Sequence, residues 1–379
     1  MERKLASIQK IVNITPIKGY DRVELATVLG WSCIIGKGEF KIGDLVVYFE
    51  PDSLLYPHKV WDNILSKRKW RVRTLKMCKV ISQGLIMPLD IIKEIDGTAR
   101  PHMVEGYDLT NILKVKHYEK YKQELALNND IGKQNNKIIK KLMYFKAFRW
   151  VYNMLYGSKI KGLYPTSIIS KTDETNIQSF PSFIDENMGS VLYISEKLEG
   201  QNGNYLYYRK NGFINRLLNK KQFLVCSHNV KLPHKNNSNW WNVSEKFDIE
   251  NILKKYQKDT GIHVGVQGEI IGPSIQKNIY KLKELDFYFF NVKNLDTGHY
   301  FNLKEKREFA NATGLKLVPI LDDNFKITSD MGVNEILELA NGFSVLNKDT
   351  LREGLVIRNI NNDRKSIKAR SPKYLIKNK

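Results

Sequence analysis

At 379 residues the chain is too long for one small core, and its 42% hydrophobic content is enough for two or three packed domains. A formal charge of +21 and a pI near 9.6 predict attraction to a polyanion, nucleic acid ahead of a membrane surface, although an AT-rich coding sequence also inflates Lys, Asn and Ile. Cys33, Cys78 and Cys226 lie too far apart for a disulfide framework or a structural zinc site. No apolar stretch reaches the roughly 18 residues of a membrane span, so a soluble, cytoplasmic protein with no membrane partner is expected.

From Leu5 to Leu89, short apolar runs alternate with turn residues. The runs beginning at Ala6, Val23, Trp31 and Asp44 read as strands, and Gly19, Gly30, Gly36, Gly38, Gly43 and Pro51 punctuate them at the spacing of a small OB-like β-barrel, a fold used for oligonucleotides. Between Lys67 and Arg73, cations interleave with an aromatic ring. Lys69 and Arg71 are candidate phosphate contacts there, while Trp70 either stacks on a base or is the buried residue of a solvated edge. Residues 113–161 break this pattern with a polar run around Asn128 and Asn136, followed by a basic amphipathic helix that lies on RNA, lies on a membrane surface or packs between domains.

The apolar run Val191 to Ile194 leads into Ser195-Glu-Lys-Leu-Glu-Gly-Gln-Asn202, and an aromatic run from Tyr205 to Tyr208 follows. A lysine at such a strand end can attack a nucleotide α-phosphate and form a phosphoramidate. With a free pKa of about 10.4, only about one lysine in 2,500 is unprotonated at neutral pH, so the site has to lower that value through cations, metal or desolvation. Gly200 would let the backbone approach a ligand closely. Further on, Val264 to Gly272 has the pattern of a buried strand and carries Glu269, a charge that needs a partner. In the strand-like run Asp286 to Val292, alternation puts Phe289 and Phe290 on opposite faces; Lys368 and Arg370 share one face by the same rule. Trp240 and Trp241 read as core residues.

Several of these segments resemble one family in order along the chain. Leu5 to Gln9, Pro16-Ile17 with Asp21, Gly30-Trp31, Lys37 to Glu50 and Ile81 to Leu85 are similar to the amino-terminal module of the two-domain, ATP-dependent RNA ligases of Deinococcus and Naegleria type. Glu196 to Asn202 resembles nucleotidyltransferase motif I, Val264 to Gly272 motif III, Asp286 to Val292 motif IIIa, Arg352 to Arg358 motif IV and Ser366 to Leu375 motif V. The resemblance implies an α+β chain: an OB-like β-barrel over 1–112, a basic helical connector over 113–161, and over 162–379 a nucleotidyltransferase domain of the covalent-lysine ligase, ATP-grasp-like kind with antiparallel and mixed sheets. It implies Lys197 as the catalytic residue that takes AMP from ATP. Gln178, Glu196, Glu199, Asn202, Glu269, Phe290 (alternatively Phe289), Lys368 and Arg370 would surround the nucleotide, and Glu353 would hold Mg2+ or Mn2+. His228 and Arg352 would contact phosphate or RNA.

The chain departs from the family pattern at Asn176 and His228, where arginines are usual, and at Arg370, where the phage RNA ligase 2 group has lysine. The implied activity is the sealing of RNA 3′-hydroxyl and 5′-phosphate ends or nicks, including a nicked duplex with an RNA 3′-hydroxyl, by a monomer. Two alternatives stay open: a capping-type guanylyltransferase, which uses GTP and carries its OB module behind the catalytic domain, and a non-catalytic or weakly active RNA-binding homologue.

Overall fold

The structure is a computed structural model, and it describes residues 3–99, 101–118, 121, 162–172, 174–210, 218, 220–234 and 236–378. Most of the connector expected over 113–161, including its basic helix, lies outside the described residues.

Strand Leu45–Phe49 organises the amino-terminal unit because Val46, Val47, Tyr48 and Phe49 are all fully buried. Alternation sends Val46 and Tyr48 into one cluster with Ile11, Val28, Trp31 and Cys33, and Val47 and Phe49 into another with Ile8, Trp61, Leu65 and Leu109. Each of these large side chains is worth about 1.5–3 kcal/mol when withdrawn from water. The strand lies fourth in a five-stranded sheet, ordered Trp31–Gly36, Tyr20–Val28, Ala6–Ile17, Leu45–Phe49 and Leu85–Met87. The hairpin of Thr74–Met77 and Val80–Gln83 packs against the Trp31–Gly36 edge of that sheet. The Cys33 thiol and the Tyr48 hydroxyl both donate to the Gln83 carbonyl, and Ile34 N donates to the Ser82 hydroxyl. Helix Lys59–Leu65 covers the outer face. Packing of this unit continues past residue 112, since Leu113 and Val115 join its core and strand Lys116–His117 pairs with Ser53–Leu54.

Two sheets build the carboxy-terminal unit. One has seven strands, in the order Gly162–Leu163, Val230–Lys231, Lys221–Ser227, Gln201–Arg209, Val264–Ile271, Asp286–Asn294 and Lys316–Leu317. The other has five, in the order Thr175–Asn176, Asn362–Arg370, Gly354–Asn359, Leu192–Lys197 and Ile320–Phe325. Thr175–Asn176 and Lys316–Leu317 pair in parallel and their neighbours pair antiparallel, so both sheets are mixed.

Each sheet turns one apolar face outward under helices. Tyr205, Val266, Phe287 and Phe289 pack against Trp241, Leu253 and Phe309 of helices Asn239–Lys246, Ile249–Thr260 and Leu303–Thr313. Leu192, Ile194, Leu355, Ile357, Ile367 and Ala369 pack against Ile336 and Leu337 of helix Val333–Ala340. The period-two alternation then leaves the intervening residues of both sheets to face one another. Among the described residues no helix is long and apolar enough to cross a membrane.

Candidate active site

A pocket opens between the two sheets. One sheet contributes Ser195, Lys197, Val356, Arg358 and Lys368, the other Asn202, Glu269 and Phe290, and Glu174 and His228 complete the wall. Lys197 ends its strand opposite Gly354. The chain then turns sharply, with Glu199 N donating to the Tyr280 hydroxyl at 2.7 Å. Two glycines make this corner possible. A Cβ on Gly354 would lie 2.1 Å from the Ala369 carbonyl oxygen, and one on Gly200 would lie 2.3 Å from that of Ile270. Gly200 therefore serves the close approach of a neighbouring strand rather than that of a ligand.

Lys197 Nζ donates to Glu353 Oε2 at 2.6 Å, and Arg370 Nη2 donates to the other oxygen of the same carboxylate at 3.0 Å. Burial alone would raise the Glu353 pKa, but Lys197 and Arg370 outweigh it and hold the group below the ordinary carboxylate range. Glu269 behaves oppositely. Desolvation pushes its carboxyl up to about 8, Lys197 pulls against that shift, and Glu353 and Glu174 add to it. Glu174 is also desolvated, yet Arg358 and Lys368 keep its pKa low. Glu196 is raised by burial, although Ser344 and Val345 N hydrogen-bond to it; its Oε1 is buried without a partner.

A second cleft adjoins the pocket at Lys368 and lies between the two units. Arg3, Trp31, Arg71 and Arg73 line it from one side and Asn176, Gln178, Lys368 and Arg370 from the other. Three polar atoms in its wall are buried without a partner: Trp31 Nε1, Gln178 Oε1 and Arg370 Nε.

The pocket thus gathers Lys197, Glu196, Asn202, His228, Glu269, Phe290 and Lys368, with Glu353 and Arg370 beside its lysine. Phe290 lines it, whereas Phe289 is fully buried against Phe309. Asn202 is fixed by Thr172 and Asn204. Gln178 sits in the interdomain cleft, and one Glu199 oxygen is buried without a partner.

Two expected contacts, Trp70 and Arg352, take other places. Trp70 is no exposed base platform: it packs against the amino-terminal core and its indole N–H donates to Asp62 at 2.8 Å. Arg352 gives its guanidinium to the carbonyls of Leu339, Ala340 and Asn341, capping helix Val333–Ala340. Lys69 is exposed at the end of a short 3-10 turn. Arg71 does reach the interdomain cleft, held by Asp52 at 2.6 Å and lying 3.8 Å over the Tyr118 ring.

Sequence reasoning missed Glu174, Val356 and Arg358. Arg358 is 3% exposed, bonds the Phe290 carbonyl, Asn291 Oδ1, Asp363 and Glu174, and keeps a buried Nε without a partner. A charge two positions after Val356, in an otherwise apolar strand, was the available signal.

Among the described residues Glu353 is the carboxylate that pairs with Lys197, and no group of three or more His, Cys, Asp or Glu there could hold a metal. A single hard oxygen suits a cation such as Mg2+, which keeps waters and is completed by substrate phosphates, and does not suit an all-protein cage.

Fold and site together define a nucleotidyltransferase domain preceded by an OB-fold domain. Residues 5–89 match an OB-fold domain family and residues 190–370 match the RNA ligase family. Solved structures of Naegleria gruberi RNA ligase are similar over almost the whole length. A variant with AMP and Mn and another with ATP and Mn each share 30% identity, 99% coverage of both chains and a TM-score of 0.72. The same ligase solved with PPi shares 31% identity, 99% coverage of both chains and a TM-score of 0.72. No curated protein sequence gives a significant match. The chain belongs to the RNA ligase family, as an enzyme with the OB-fold domain placed first.

Proposed function

We propose that the protein is an ATP-dependent ligase that joins RNA 3′-hydroxyl and 5′-phosphate ends by way of AMP carried on Lys197. The observation that carries this reading is the Lys197–Glu353–Arg370 array, in which a lysine amine, an ionised carboxylate and a guanidinium converge beside a pocket lined by Phe290, Val356 and Glu269. Naegleria gruberi RNA ligase, similar throughout, has been solved with ATP, AMP and Mn.

In the first step Lys197 leaves Glu353, loses a proton and attacks the α-phosphorus; the P–N bond forms as the bond to pyrophosphate breaks. Lys368 and Arg370 hold the phosphate oxygens, and the cations of the interdomain cleft receive the leaving pyrophosphate. An oxygen of an RNA 5′-phosphate then attacks the same phosphorus as the P–N bond breaks, and Lys197 departs as the amine and recovers its proton. Finally a 3′-hydroxyl displaces AMP, forming the phosphodiester. Glu353 would hold a Mg2+ or Mn2+ ion, which supplies Lewis-acid neutralisation of phosphate charge.

The purine stacks between Phe290 and Val356. Arg358 Nε donates to an acceptor nitrogen of adenine. Glu269 and Glu199 take the ribose hydroxyls.

The test is label transfer from α-labelled ATP or GTP with a divalent metal, followed by nicked duplexes carrying RNA or DNA on the 3′-hydroxyl side. Wild type should take label from ATP and pass it to RNA ends, and Lys197→Ala should take none. Label uptake by Lys197→Ala would sink the assignment of the nucleophile. Preference for GTP would favour a capping-type reading, and equal sealing of DNA 3′-hydroxyl ends would remove RNA specificity.

A further inference from the structure

Behind the nucleotide pocket lies a group of charges that the steps above do not use. Lys306 is 1% exposed on helix Leu303–Thr313, which Asn302 and Glu305 start with a capping box. Its Nζ donates to Asp363 Oδ2 at 2.7 Å and to the Tyr193 hydroxyl at 3.0 Å, and that hydroxyl donates to the other Asp363 oxygen. Asp363 also accepts from Arg358 Nη1 at 3.2 Å. Arg358 in turn grips the Phe290 carbonyl at 3.0 Å, Asn291 at 2.6 Å and Glu174 at 2.8 Å.

The charges balance, with Lys306 and Arg358 against Asp363 and Glu174. Their placement matters more than their number. Tyr193, Arg358 and Asp363 belong to the five-stranded sheet, whereas Phe290 and Asn291 belong to the seven-stranded one and Lys306 to a helix packed on it. The chain of contacts therefore spans the gap between the sheets at the floor of the slot whose walls are Phe290 and Val356.

We propose that Lys306, Asp363 and Tyr193 form a clasp that positions Arg358, and through it Phe290 and Glu174, so that the two sheets stand apart by the thickness of a purine ring. The proposal rests on the reading of this pocket as an adenine nucleotide site. None of the three clasp residues lines that pocket, so they act as positioning residues. Burial pulls Lys306 down to about 7 against the pull of Asp363, so its charge depends on that partner. A buried pair stripped of one member is strongly destabilising, yet replacing both members with apolar groups is often neutral. That asymmetry separates positioning from mere stability.

The experiment measures the Kd of α,β-methylene ATP, which cannot donate AMP, and the Tm for wild type, Lys306→Met, Asp363→Leu, the double variant and Tyr193→Phe. Both charge-removing single variants should lower Tm and weaken binding at least about 10-fold, a loss of about 1.4 kcal/mol. The double variant should recover most of the Tm and keep the weakened Kd, because Arg358 still lacks its anchor. Tyr193→Phe, which keeps the ring, should weaken binding about 3-fold with little change in Tm. Recovery of Kd together with Tm in the double variant, or unchanged Kd in the single variants, would overturn the clasp. Failure of label transfer to Lys197 would leave these binding ratios intact, so the two readings fail separately.

Discussion

Glu269 and Glu353 flank the same lysine and are shifted in opposite directions, because one faces a second carboxylate across a desolvated gap and the other is paired with two cations. For Glu269 the unfolded chain releases the proton near the ordinary value of 4.5 and the folded chain near 8. The folded form binds more protons between those values, so the stability that this proton supplies is complete below the lower value and lost as pH rises through the upper one. Glu269→Gln is neutral at every pH. Its Tm should gain on wild type as pH rises from about 5 to about 8 and gain no more above that. Melts at three pH values check this, and a Tm difference independent of pH would count against a raised Glu269. The same substitution should cut label transfer at least about 10-fold in assays above pH 8, where wild-type Glu269 is a carboxylate and the amide oxygen that replaces it accepts a ribose hydrogen bond more weakly. At this scale the residues that the sequence singled out for an amine, a carboxylate and alternating cations, Lys197, Glu353, Lys368 and Arg370, stand together in the structure. The sequence was mute where a partner lies far along the chain. Trp70 resembled a base platform because nothing local shows that its indole N–H is bonded to Asp62, and Arg358 went unassigned although alternation alone places it beside Val356.

Strands were legible because a sheet buried on one face writes its apolar residues at every second position. Leu192 and Ile194, Leu355 and Ile357, and Ile367 and Ala369 all point outward to one core, which leaves Lys197, Val356, Arg358, Lys368 and Arg370 for the pocket. What alternation cannot reveal is how closely the strands approach. Gly354 follows the metal-site candidate Glu353, and there is no room for a methyl group between its Cα and the strand carrying Lys368 and Arg370. Gly354→Ala forces an obstruction 2.1 Å from a backbone oxygen, which no rotamer change relieves. It should destabilise the protein by about 3 kcal/mol, at the upper end of usual overpacking penalties, and displace Arg370 from Glu353. Urea denaturation measures the first effect. A near-wild-type midpoint with normal label transfer would show that the two strands separate freely. The serial order of OB-fold domain and nucleotidyltransferase domain was readable for a simpler reason: each has its own core and its own run of strands and turns.

How the two units lock together could not be inferred from either one alone. Ile81 of the OB-fold hairpin is 8% exposed and packs with Tyr374 and Leu375 of helix Pro372–Asn378, which begins two residues after Arg370. Gly30, in the first unit, abuts Val333 and Gln178 so tightly that a Cβ there would lie 2.5 Å from the valine side chain. These contacts hold Arg3, Arg71 and Arg73 across the cleft from Lys368 and Arg370, so that in the proposed first step the departing pyrophosphate would meet cations from both units. Ile81→Asp buries an unpaired carboxylate at that seam, where desolvation opposes its charge. The units should part while each keeps its core, which small-angle scattering would register as an increased radius of gyration. Adenylylation of Lys197 should then fall at least about 10-fold at limiting ATP, because three of the five cations lining the cleft have moved away. Sealing of RNA ends that already carry AMP should suffer less from the loss of pyrophosphate contacts, since that step releases AMP and no pyrophosphate. An expanded molecule that still charges Lys197 at the wild-type rate would show that the catalytic unit needs no cations from its neighbour.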